Sequence, residues 1–336
     1  MALKKIAVAI VALGAAALAA FLVFDGIFNK TVSTDFFAMN TYVTATVTGT
    51  DSEDCASELR SVVESLDKDK LSRTRADSSV SQLNKNGGGN ADGKIAEWFS
   101  VLLDVCRKSA GAFDFTLGTV SDLWSFGSEP KIPEAEVLAE ALSHTGYEKI
   151  TLSGGRLDMA DKEAVIDFGA TGKGIALDEI KASFDGKRIK EAVVSVGGSV
   201  LLYGDKKFTV GIRDPQGNAG RYVAKLHVSE TCVSTSGSYE QQFEQNGKKY
   251  HHILDPKTGY PVNNGLISVT VVSESGILSD ALSTACFVLG IGKGSALAAE
   301  YGCTAIFITE NKKIYVEGDS TVIEITDEAY TLAEQS

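Results

Sequence analysis

The chain has 336 residues, of which 44% are hydrophobic and 23% are charged, and its formal net charge at pH 7 is −12. These values are typical of globular proteins and exclude a disordered, collagen-like or coiled-coil chain. Proteins that bind along nucleic-acid phosphates usually have the opposite charge balance. This sequence has no local basic patch either, so no nucleic-acid partner is expected.

The first thirty residues are predicted to be a targeting segment. Two lysines precede an uncharged apolar run, Ile6–Phe24, and a helix of that length nearly spans a hydrocarbon core of roughly 30 Å. A cleavable signal peptide is the alternative, because Ala17–Ala19 offers a small-residue cleavage site. We favour a retained membrane anchor, since the run stays apolar to its end. In either case the lysines place residues 31–336 outside the cytoplasm.

After this segment, predicted helices alternate with polar connections. Phe37–Thr48 is rich in Thr and Val and predicts one strand. Apolar residues at helical spacing over Leu59–Leu66 predict a helix that ends before the charged cluster Asp67–Lys70. The polar stretch Ser72–Lys94 predicts a loop with one short turn of helix around Val80–Leu83. Two further helices are predicted, Ile95–Cys106 and Pro133–His144.

The second half of the chain is rich in predicted strands. These are Lys149–Leu152, Ala164–Phe168, Ala192–Val196, Val200–Tyr203, Phe208–Ile212, Tyr222–Val228, Leu266–Val272, Thr304–Ile308 and Lys313–Val316. The predicted helices are Gly174–Phe184, Asp280–Leu289 and Gly292–Tyr301. No repeat, low-complexity tract or Pro-rich linker interrupts the pattern. It therefore predicts an α+β fold, with one mixed catalytic domain over residues 31–336 that follows the N-terminal segment 1–30.

A glycine-rich turn stands out in the segment Val165–Asp178, between a predicted buried strand and the start of a helix. Glycines allow the backbone of such a turn to approach a ligand closely. A Walker A phosphate loop is excluded, because Asp167 stands where that motif needs glycine and Gly174 where it needs Ser or Thr. Taken alone, a tight strand–helix connection explains these glycines equally well.

A second candidate constellation pairs Asp280 with Thr284. Their spacing of four residues places both oxygen-bearing side chains on one face of a helix. A carboxylate and a hydroxyl are hard oxygen ligands that suit Mg²⁺. On its own, however, Asp280 is better explained as an ordinary helix N-cap.

Two adjacent histidines, His251 and His252, form the third candidate. Neighbouring residues of a strand point to opposite faces, so one imidazole can face a site while the other faces away. A zinc site is not expected, because the chain has no HExxH motif.

The Gly197–Gly198 pair between two predicted strands indicates a bulge. The five cysteines contain no CxxC pair, and we expect most of them to be small buried residues.

Seven segments, taken together and in this order, resemble the ApbE family of FAD:protein FMN transferases. They are Met39-Asn40-Thr41, Leu71-Ser72 with Asp77-Ser78, Ala112-Phe113-Asp114, Asp167–Gly174, Val196-Gly197-Gly198, His252–Pro261 and Asp280–Thr284. The resemblance extends from about Phe37 to Tyr301. No single motif decides it, but seven in family order make a chance match improbable. Two positions depart from the family pattern, with Asn40 in place of a glycine and Thr74 in place of an aromatic residue.

The resemblance implies an enzyme that binds FAD and Mg²⁺, transfers FMN to a Thr or Ser hydroxyl of a target protein, and releases AMP. The implied metal ligands are the Ala170 carbonyl, the Asp280 carboxylate and the Thr284 hydroxyl, with Ser283 as a weaker candidate. The implied FAD contacts are Met39, Ala112, Phe113, Asp114, Asp167, Lys173 and Leu254. His252 is the candidate base that accepts the proton of the target hydroxyl.

The family's activity also implies partners outside the cytoplasm, namely the flavin-accepting protein subunits of membrane electron-transfer chains. Two alternatives remain open. The first is Mg²⁺-dependent hydrolysis of FAD to FMN and AMP, in which water replaces the protein hydroxyl at the same residues. The second is a membrane-tethered flavin-binding protein without turnover, which would not need the metal ligands. The sequence also leaves open whether Mg²⁺ is preferred over Mn²⁺.

Overall fold

The structure is a computed structural model that describes residues 29–91, 93–127, 129–217 and 220–333. The predicted membrane anchor lies outside the described residues. The helices are α1 (Ser52–Ser65), α2 (Ser79–Asn86), α3 (Gly93–Lys108), α4 (Gly118–Trp124), α5 (Ala135–His144), α6 (Gly172–Ser183) and α7 (Gly276–Glu300).

The strands follow the same chain order. They are β1 (Lys30–Ala38), β2 (Thr41–Gly49), β3 (Gly88–Asn90), β4 (Ile150–Ser153), β5 (Arg156–Met159), β6 (Ile189–Val196), β7 (Ser199–Gly204), β8 (Phe208–Arg213), β9 (Tyr222–Val228), β10 (Thr231–Gly237), β11 (Gln242–Gln245), β12 (Lys248–His251), β13 (Leu266–Ser273), β14 (Thr304–Thr309), β15 (Lys313–Glu317), β16 (Ile323–Ile325) and β17 (Thr331–Leu332).

A large sheet forms the centre of the fold. Within the described residues it has nine strands in the order β1-β2-β6-β7-β10-β13-β14-β15-β17, and every pair is antiparallel except β15–β17. Helices α1 and α6 pack with β1, β2 and β6 on one face, and α7 packs on β10 and β13. A smaller sheet, β16-β9-β8, packs on the other face and shares a core with β7, β10, β13, β14 and β15. The predicted α+β fold is thus confirmed.

The predicted single strand Phe37–Thr48 is wrong, because the chain reverses within it. Met39 and Asn40 have φ values of 51° and 56° and form a two-residue turn between β1 and β2. Both turn residues of such a tight hairpin take positive φ when the turn matches the right-handed twist of the strands. Asn40 adopts this conformation readily, whereas Met39 does so at a cost in backbone strain.

Two predictions about the first half need correction. The helix does not end before Asp67–Lys70, because α1 continues through the π-helical turn Leu66–Leu71. The predicted loop contains α2, whose N-terminus is capped by the Ser78 hydroxyl as it accepts a hydrogen bond from the Ser81 amide. Polar helices of this kind lack the apolar periodicity from which a helix is predicted.

The predicted strand Ala164–Phe168 is also wrong. It forms only one isolated bridge, between Val165 and Leu117. The side chain of Asn84 takes the place of a neighbouring strand, because its amide oxygen accepts from the Ile166 amide and its amide nitrogen donates to the Ile166 carbonyl. The remaining predicted strands all correspond to observed strands.

The two helices predicted over Asp280–Leu289 and Gly292–Tyr301 form α7, which is interrupted by non-helical backbone at Gly290 (φ 76°, ψ 178°). In the described part of the chain, α7 is the one helix long and apolar enough to cross a membrane by length and composition. It is a core helix, since 56% of its most apolar window is buried inside the protein. All five cysteines are buried and free, as expected.

Candidate active site

The site is built where α6 and α7 cross at a pair of glycines. A Cβ atom on Gly174 would overlap the carbonyl oxygen of Gly276, and a Cβ on Gly276 would overlap the carbonyl oxygen of Gly174. The two helix backbones are therefore in direct contact, which only glycine permits at these positions. This crossing holds the N-terminal turns of both helices side by side.

At its N-terminus, each helix also donates backbone hydrogen bonds to a carboxylate of the other helix. Asp178 of α6 accepts hydrogen bonds from the amides of Gly276 (2.6 Å) and Ile277 (3.0 Å) at the start of α7. Asp280 of α7 accepts one from the Gly174 amide (2.9 Å) at the start of α6. The first amides of a helix have no intrahelical partners and attract negative charge. The glycine-rich turn is therefore joined to α7 by reciprocal caps.

Asp280 does not cap its own helix, so the simple N-cap interpretation is wrong. That role belongs to Ser275, whose hydroxyl accepts from the Leu278 amide. The Asp280 side chain is almost completely buried, accepts a hydrogen bond from the Ser199 hydroxyl (3.2 Å) and lies 4.0 Å from the Lys173 ammonium. Burial raises the pKa of this carboxyl, and the opposing effect of Lys173 only partly offsets that rise.

Three hydroxyl groups meet between α7 and the end of β10. Ser236 Oγ at the end of β10 lies 2.8 Å from Ser283 Oγ and 3.1 Å from Thr284 Oγ1. Ser283 in turn donates to the backbone carbonyl of Asp280 (2.9 Å). The hydroxyls of the predicted ligands Ser283 and Thr284 therefore share the neighbour Ser236, one helical turn after Asp280 in α7. Ser236 was missed, because one serine in a Ser/Thr-rich strand gives no distinctive signal.

The Ala170 carbonyl is available to a ligand. The first intrahelical bond of α6 runs from the Ile175 amide to the Thr171 carbonyl, so Ala170 precedes the helix, and the Gly174 amide is taken by Asp280. In the described part of the chain no group donates a hydrogen bond to the Ala170 carbonyl. These oxygen donors suit a hard cation such as Mg²⁺. The described residues contain no cluster of three His, Cys, Asp or Glu side chains placed to hold a metal.

The Gly197–Gly198 pair is a two-residue turn joining β6 to β7, and the predicted bulge is wrong. Val196 pairs with Ser199 across the turn, and Gly197 has a φ of 59°. A Cβ on Gly197 would lie 3.3 Å from Cδ of Lys173, and a Cβ on Gly198 would lie 3.2 Å from a carboxylate oxygen of Glu240. The absence of side chains on this turn therefore leaves room for both charged groups.

The two histidines have different environments. His251 Nε2 is 2.8 Å from the Val262 carbonyl oxygen, and its ring packs edge-on against Phe287, so this imidazole is held in the fold. His252 follows β12, and its Nδ1 is buried without a hydrogen-bond partner among the described residues. Burial, with a further contribution from Lys173, lowers the pKa of His252 to about 4. Its imidazole is uncharged at neutral pH.

Met39 and Lys173 are the two predicted FAD contacts that lie beside the metal-ligand candidates. Cε of Met39 would be 3.1 Å from a Cβ on Gly172, which places the tip of the β1–β2 hairpin against the start of α6. The Met39 amide donates to a carboxylate oxygen of Asp67 (3.0 Å) and so fixes the tip in position. The hairpin turn, the glycine-rich turn and Lys173 therefore form one wall of the site.

Four other predicted FAD contacts lie in or beside the core. Asp114 accepts hydrogen bonds from the amides of Thr116 (2.8 Å) and Tyr147 (2.9 Å), and burial raises its pKa. The remaining three residues are almost fully buried, namely Ala112, Phe113 and Leu254. These side chains are therefore shielded from solvent by the described part of the protein.

Asp167, the last predicted FAD contact, is held by Arg73, which the sequence did not indicate. Arg73 Nε donates to Asp167 Oδ2 (2.9 Å), while Nη1 (2.8 Å) and Nη2 (2.5 Å) donate to the two carboxylate oxygens of Asp122 in α4. The Gly169 amide donates to Asp167 Oδ1 (2.7 Å). The guanidinium thus fixes Asp167 at the rim of the glycine-rich turn. An arginine in a polar loop gives no advance signal of such a role.

Comparison with known proteins identifies the family of this chain. The model of the ApbE family matches residues 39–307. An FAD:protein FMN transferase of Treponema pallidum is 34% identical over 268 residues, covering 73% of this chain and 74% of the relative. One of Klebsiella pneumoniae is 32% identical, covering 74% of this chain and 80% of the relative.

Solved structures of the family have the same fold. The crystal structure of the ApbE protein of Thermotoga maritima has a TM-score of 0.76 and 29% identity, covering 87% of this chain and 98% of that chain. The apo form of the flavinyl transferase ApbE of Pseudomonas stutzeri has a TM-score of 0.73 and 29% identity, covering 84% and 92%. The chain therefore belongs to the ApbE family of transferase enzymes.

Proposed function

We propose that this protein transfers the FMN moiety of FAD to a Thr or Ser hydroxyl of a target protein, with Mg²⁺ bound and AMP released. The observation that carries the proposal is the oxygen cluster formed by Asp280, Ser283 and Thr284 in the first turns of α7 with Ser236 of β10, in which Asp280 and Ser283 are buried. The glycine-rich turn is joined to this cluster by the bond from the Gly174 amide to Asp280, and within the described residues its Ala170 carbonyl accepts no hydrogen bond. A family whose relatives are FAD:protein FMN transferases supports the same reaction.

The donor set fits Mg²⁺. Asp280 would supply the single carboxylate, and the Thr284 hydroxyl and the Ala170 carbonyl would supply neutral oxygens, with Ser283 as a further candidate. Mg²⁺ typically keeps water or phosphate oxygens in its remaining positions, so one carboxylate is sufficient. When bound there, the cation supplies electrostatic stabilisation of negative charge on the phosphate oxygens.

The protein's own residues account for the remaining steps. Lys173 would donate to a phosphate oxygen of FAD, and its position 4.0 Å from the Asp280 carboxylate at the start of α6 supports this role. His252 would accept the proton of the acceptor hydroxyl, because its imidazole is uncharged at neutral pH. The hydroxyl oxygen bonds to the phosphorus of the FMN half, the bond from that phosphorus to the bridging oxygen breaks, and AMP leaves with that oxygen.

Replacing His252 with Ala is expected to lower the transfer rate about 100-fold or more and to leave the affinity for FAD unchanged, because general-base catalysis contributes roughly 10²–10⁴-fold. Initial rates of covalent flavin attachment and fluorescence titration with FAD measure the two quantities. His227→Ala, which removes an exposed imidazole paired with Glu324, is the matched control. Equal transfer rates in His252→Ala and the unaltered protein would remove His252 from the mechanism.

The low pKa of His252 also gives a pH dependence. A base must be unprotonated to accept a proton, and a pKa of about 4 keeps this imidazole neutral from pH 5 upwards. We therefore expect no loss of rate through His252 between pH 8 and pH 5, and a fall as pH approaches 4. A rate that halves near pH 6.5 and loses that dependence in His252→Ala would contradict the lowered pKa of His252.

Replacing Arg73 with Ala is expected to raise KM for FAD about tenfold with a smaller change in kcat, because Asp167 loses the guanidinium that orients it. In Arg73→Lys, KM for FAD is expected to stay nearly as high as in Arg73→Ala, because an ammonium cannot form the paired contacts of the guanidinium with Asp122. Arg75→Ala, a change of an exposed arginine in the same loop, is the control. Steady-state kinetics that give the same KM for all four proteins would exclude the proposed role of Arg73.

The location and the partner complete the proposal. Two lysines followed by an uncharged apolar run support a membrane-anchored protein whose catalytic domain lies outside the cytoplasm. Its acceptors would then be flavin-carrying subunits of membrane electron-transfer chains.

Hydrolysis of FAD to FMN and AMP is the competing function, and steady release of free FMN without covalent flavin would favour it. Tight FAD binding without either product would favour a flavin-binding protein.

A further inference from the structure

The β1–β2 hairpin presents two aromatic side chains to solvent. Phe37 is 61% exposed and Tyr42 is 71% exposed, the two highest values among the large hydrophobic side chains that the structure describes. They are cross-strand partners, and their rings are in edge-to-face contact with centroids 5.6 Å apart. Single exposed apolar residues are ordinary, whereas an adjoining pair of large rings indicates an interaction surface.

This pair adjoins the candidate active site. The turn between the two strands carries Met39, whose side chain lies against the start of α6. The Tyr42 carbonyl accepts a hydrogen bond from the Gly197 amide (3.1 Å), and Gly197 lies against the side chain of Lys173. A protein that covers the aromatic pair would therefore stand beside the residues proposed to act on FAD.

The sheet face that carries the pair is not covered by any other described part of the chain. The small sheet β16-β9-β8 packs against β7, β10, β13, β14 and β15. On β1 and β2, by contrast, the side chains of Ser33, Thr44 and Thr46 on the face of the aromatic pair are exposed. Two large apolar rings on an otherwise polar, threonine-rich face are not needed for the fold.

The size and position of the pair favour one occupant. An aromatic side chain has a surface area of roughly 150–250 Å², so the exposed parts of Phe37 and Tyr42 together amount to about 200–300 Å². Each partner in a stable protein interface contributes ~800 Å², which is far more. A permanent dimer is therefore disfavoured. The N-terminal segment joins β1 at Lys30, seven residues from Phe37, or about 24 Å along a strand. The pair thus lies away from the end at which the predicted anchor enters the domain.

We propose that Phe37 and Tyr42 form the docking surface for the acceptor protein, where they contact apolar side chains next to its target hydroxyl. This inference rests on the proposed function. A small aromatic patch beside a catalytic site suits a protein substrate that must bind, react and leave. It would contribute to recognition of the acceptor protein and not to recognition of FAD.

The test is the double variant Phe37→Thr/Tyr42→Thr of the full chain, because Thr keeps a high strand propensity. The probe is the flavin-free form of a flavin-carrying subunit of a membrane electron-transfer chain. We expect kcat/KM for this acceptor to fall about tenfold or more, with KM for FAD and the cleavage of FAD without acceptor unchanged. Tyr222→Ala, which removes a 55% exposed ring on β9, is expected to have no effect on either reaction.

Several results would overturn the inference. An unchanged kcat/KM for the acceptor would show that the rings do not contact it. An equal loss of FAD affinity would assign the rings to the flavin, and a loss of binding to vesicles of phosphatidylcholine and phosphatidylglycerol would assign them to a membrane. A change from dimer to monomer in light scattering would assign them to a second copy. Failure of the unaltered protein to label any acceptor would instead contradict the proposed function itself.

Discussion

Replacing Asp280 with Asn is expected to abolish metal-dependent FAD cleavage, with a fall in rate of at least about 100-fold. Asn keeps an oxygen that can accept the hydrogen bond from the Gly174 amide, but it removes the only carboxylate in the oxygen cluster. The negative charge that binds a divalent cation is therefore lost while the junction of α6 and α7 is kept. Initial rates of AMP release at increasing Mg²⁺ concentrations measure the effect.

Mg²⁺ binding itself gives a second measurement, independent of turnover. Calorimetric titration of the protein with Mg²⁺ in the presence of FAD is expected to show binding to the unaltered chain and none to Asp280→Asn. Thr284→Ser keeps a hydroxyl and serves as the control for a small change at the same helix face. Undiminished Mg²⁺ binding and turnover in Asp280→Asn would show that this carboxylate only caps α6.

Replacing Gly174 with Ala is expected to destabilise the protein by about 3 kcal/mol, at the upper end of the usual cost of overpacking. The new methyl group would overlap the carbonyl oxygen of Gly276 and lie 2.7 Å from Cβ of Asp280. Both neighbours are held by hydrogen bonds at the helix junction, so the two helices must separate. The expected result is a lower Tm and a weaker affinity for Mg²⁺.

Gly292→Ala is the matched control for this prediction. Gly292 is also a helical glycine, but a Cβ there would meet nothing within 4 Å. Ala is favoured over Gly inside a helix by up to about 1 kcal/mol, so this variant should be as stable as the original or slightly more so. Thermal unfolding of both variants distinguishes the helix crossing from a general effect of glycine replacement. A Gly174→Ala protein with an unchanged Tm would contradict the close backbone contact.

The sequence predicted most of the regular elements, because strands such as β13 and helices such as α6 have long apolar patterns. The errors share a physical cause. At Met39–Asn40 the turn is made without the glycine or proline that usually marks one. At Ile166 the side-chain amide of Asn84 replaces a strand neighbour. The spacing of apolar residues along the sequence reveals neither a contact between distant residues nor a turn with unusual residues.

The candidate site was predicted in part. The common helix face of Asp280 and Thr284 followed from their spacing, whereas Ser283 was a candidate only through the family resemblance. The contributions of Ser236 and Arg73 depend on tertiary contacts between distant segments, which a single sequence does not show. Asp178 is the most instructive case, because its ordinary position in α6 gave no sign that it caps α7.

The most direct test of the proposed function combines the full chain with FAD, Mg²⁺ and a flavin-free acceptor subunit. The readout is flavin fluorescence that remains on the acceptor after denaturing electrophoresis, together with the amount of AMP released. The proposed function predicts one covalent flavin for each AMP, and no labelling with EDTA, with Asp280→Asn or with an acceptor whose target Thr is replaced by Ala. Release of AMP and free FMN without a labelled acceptor would contradict it and identify the protein as a hydrolase of FAD.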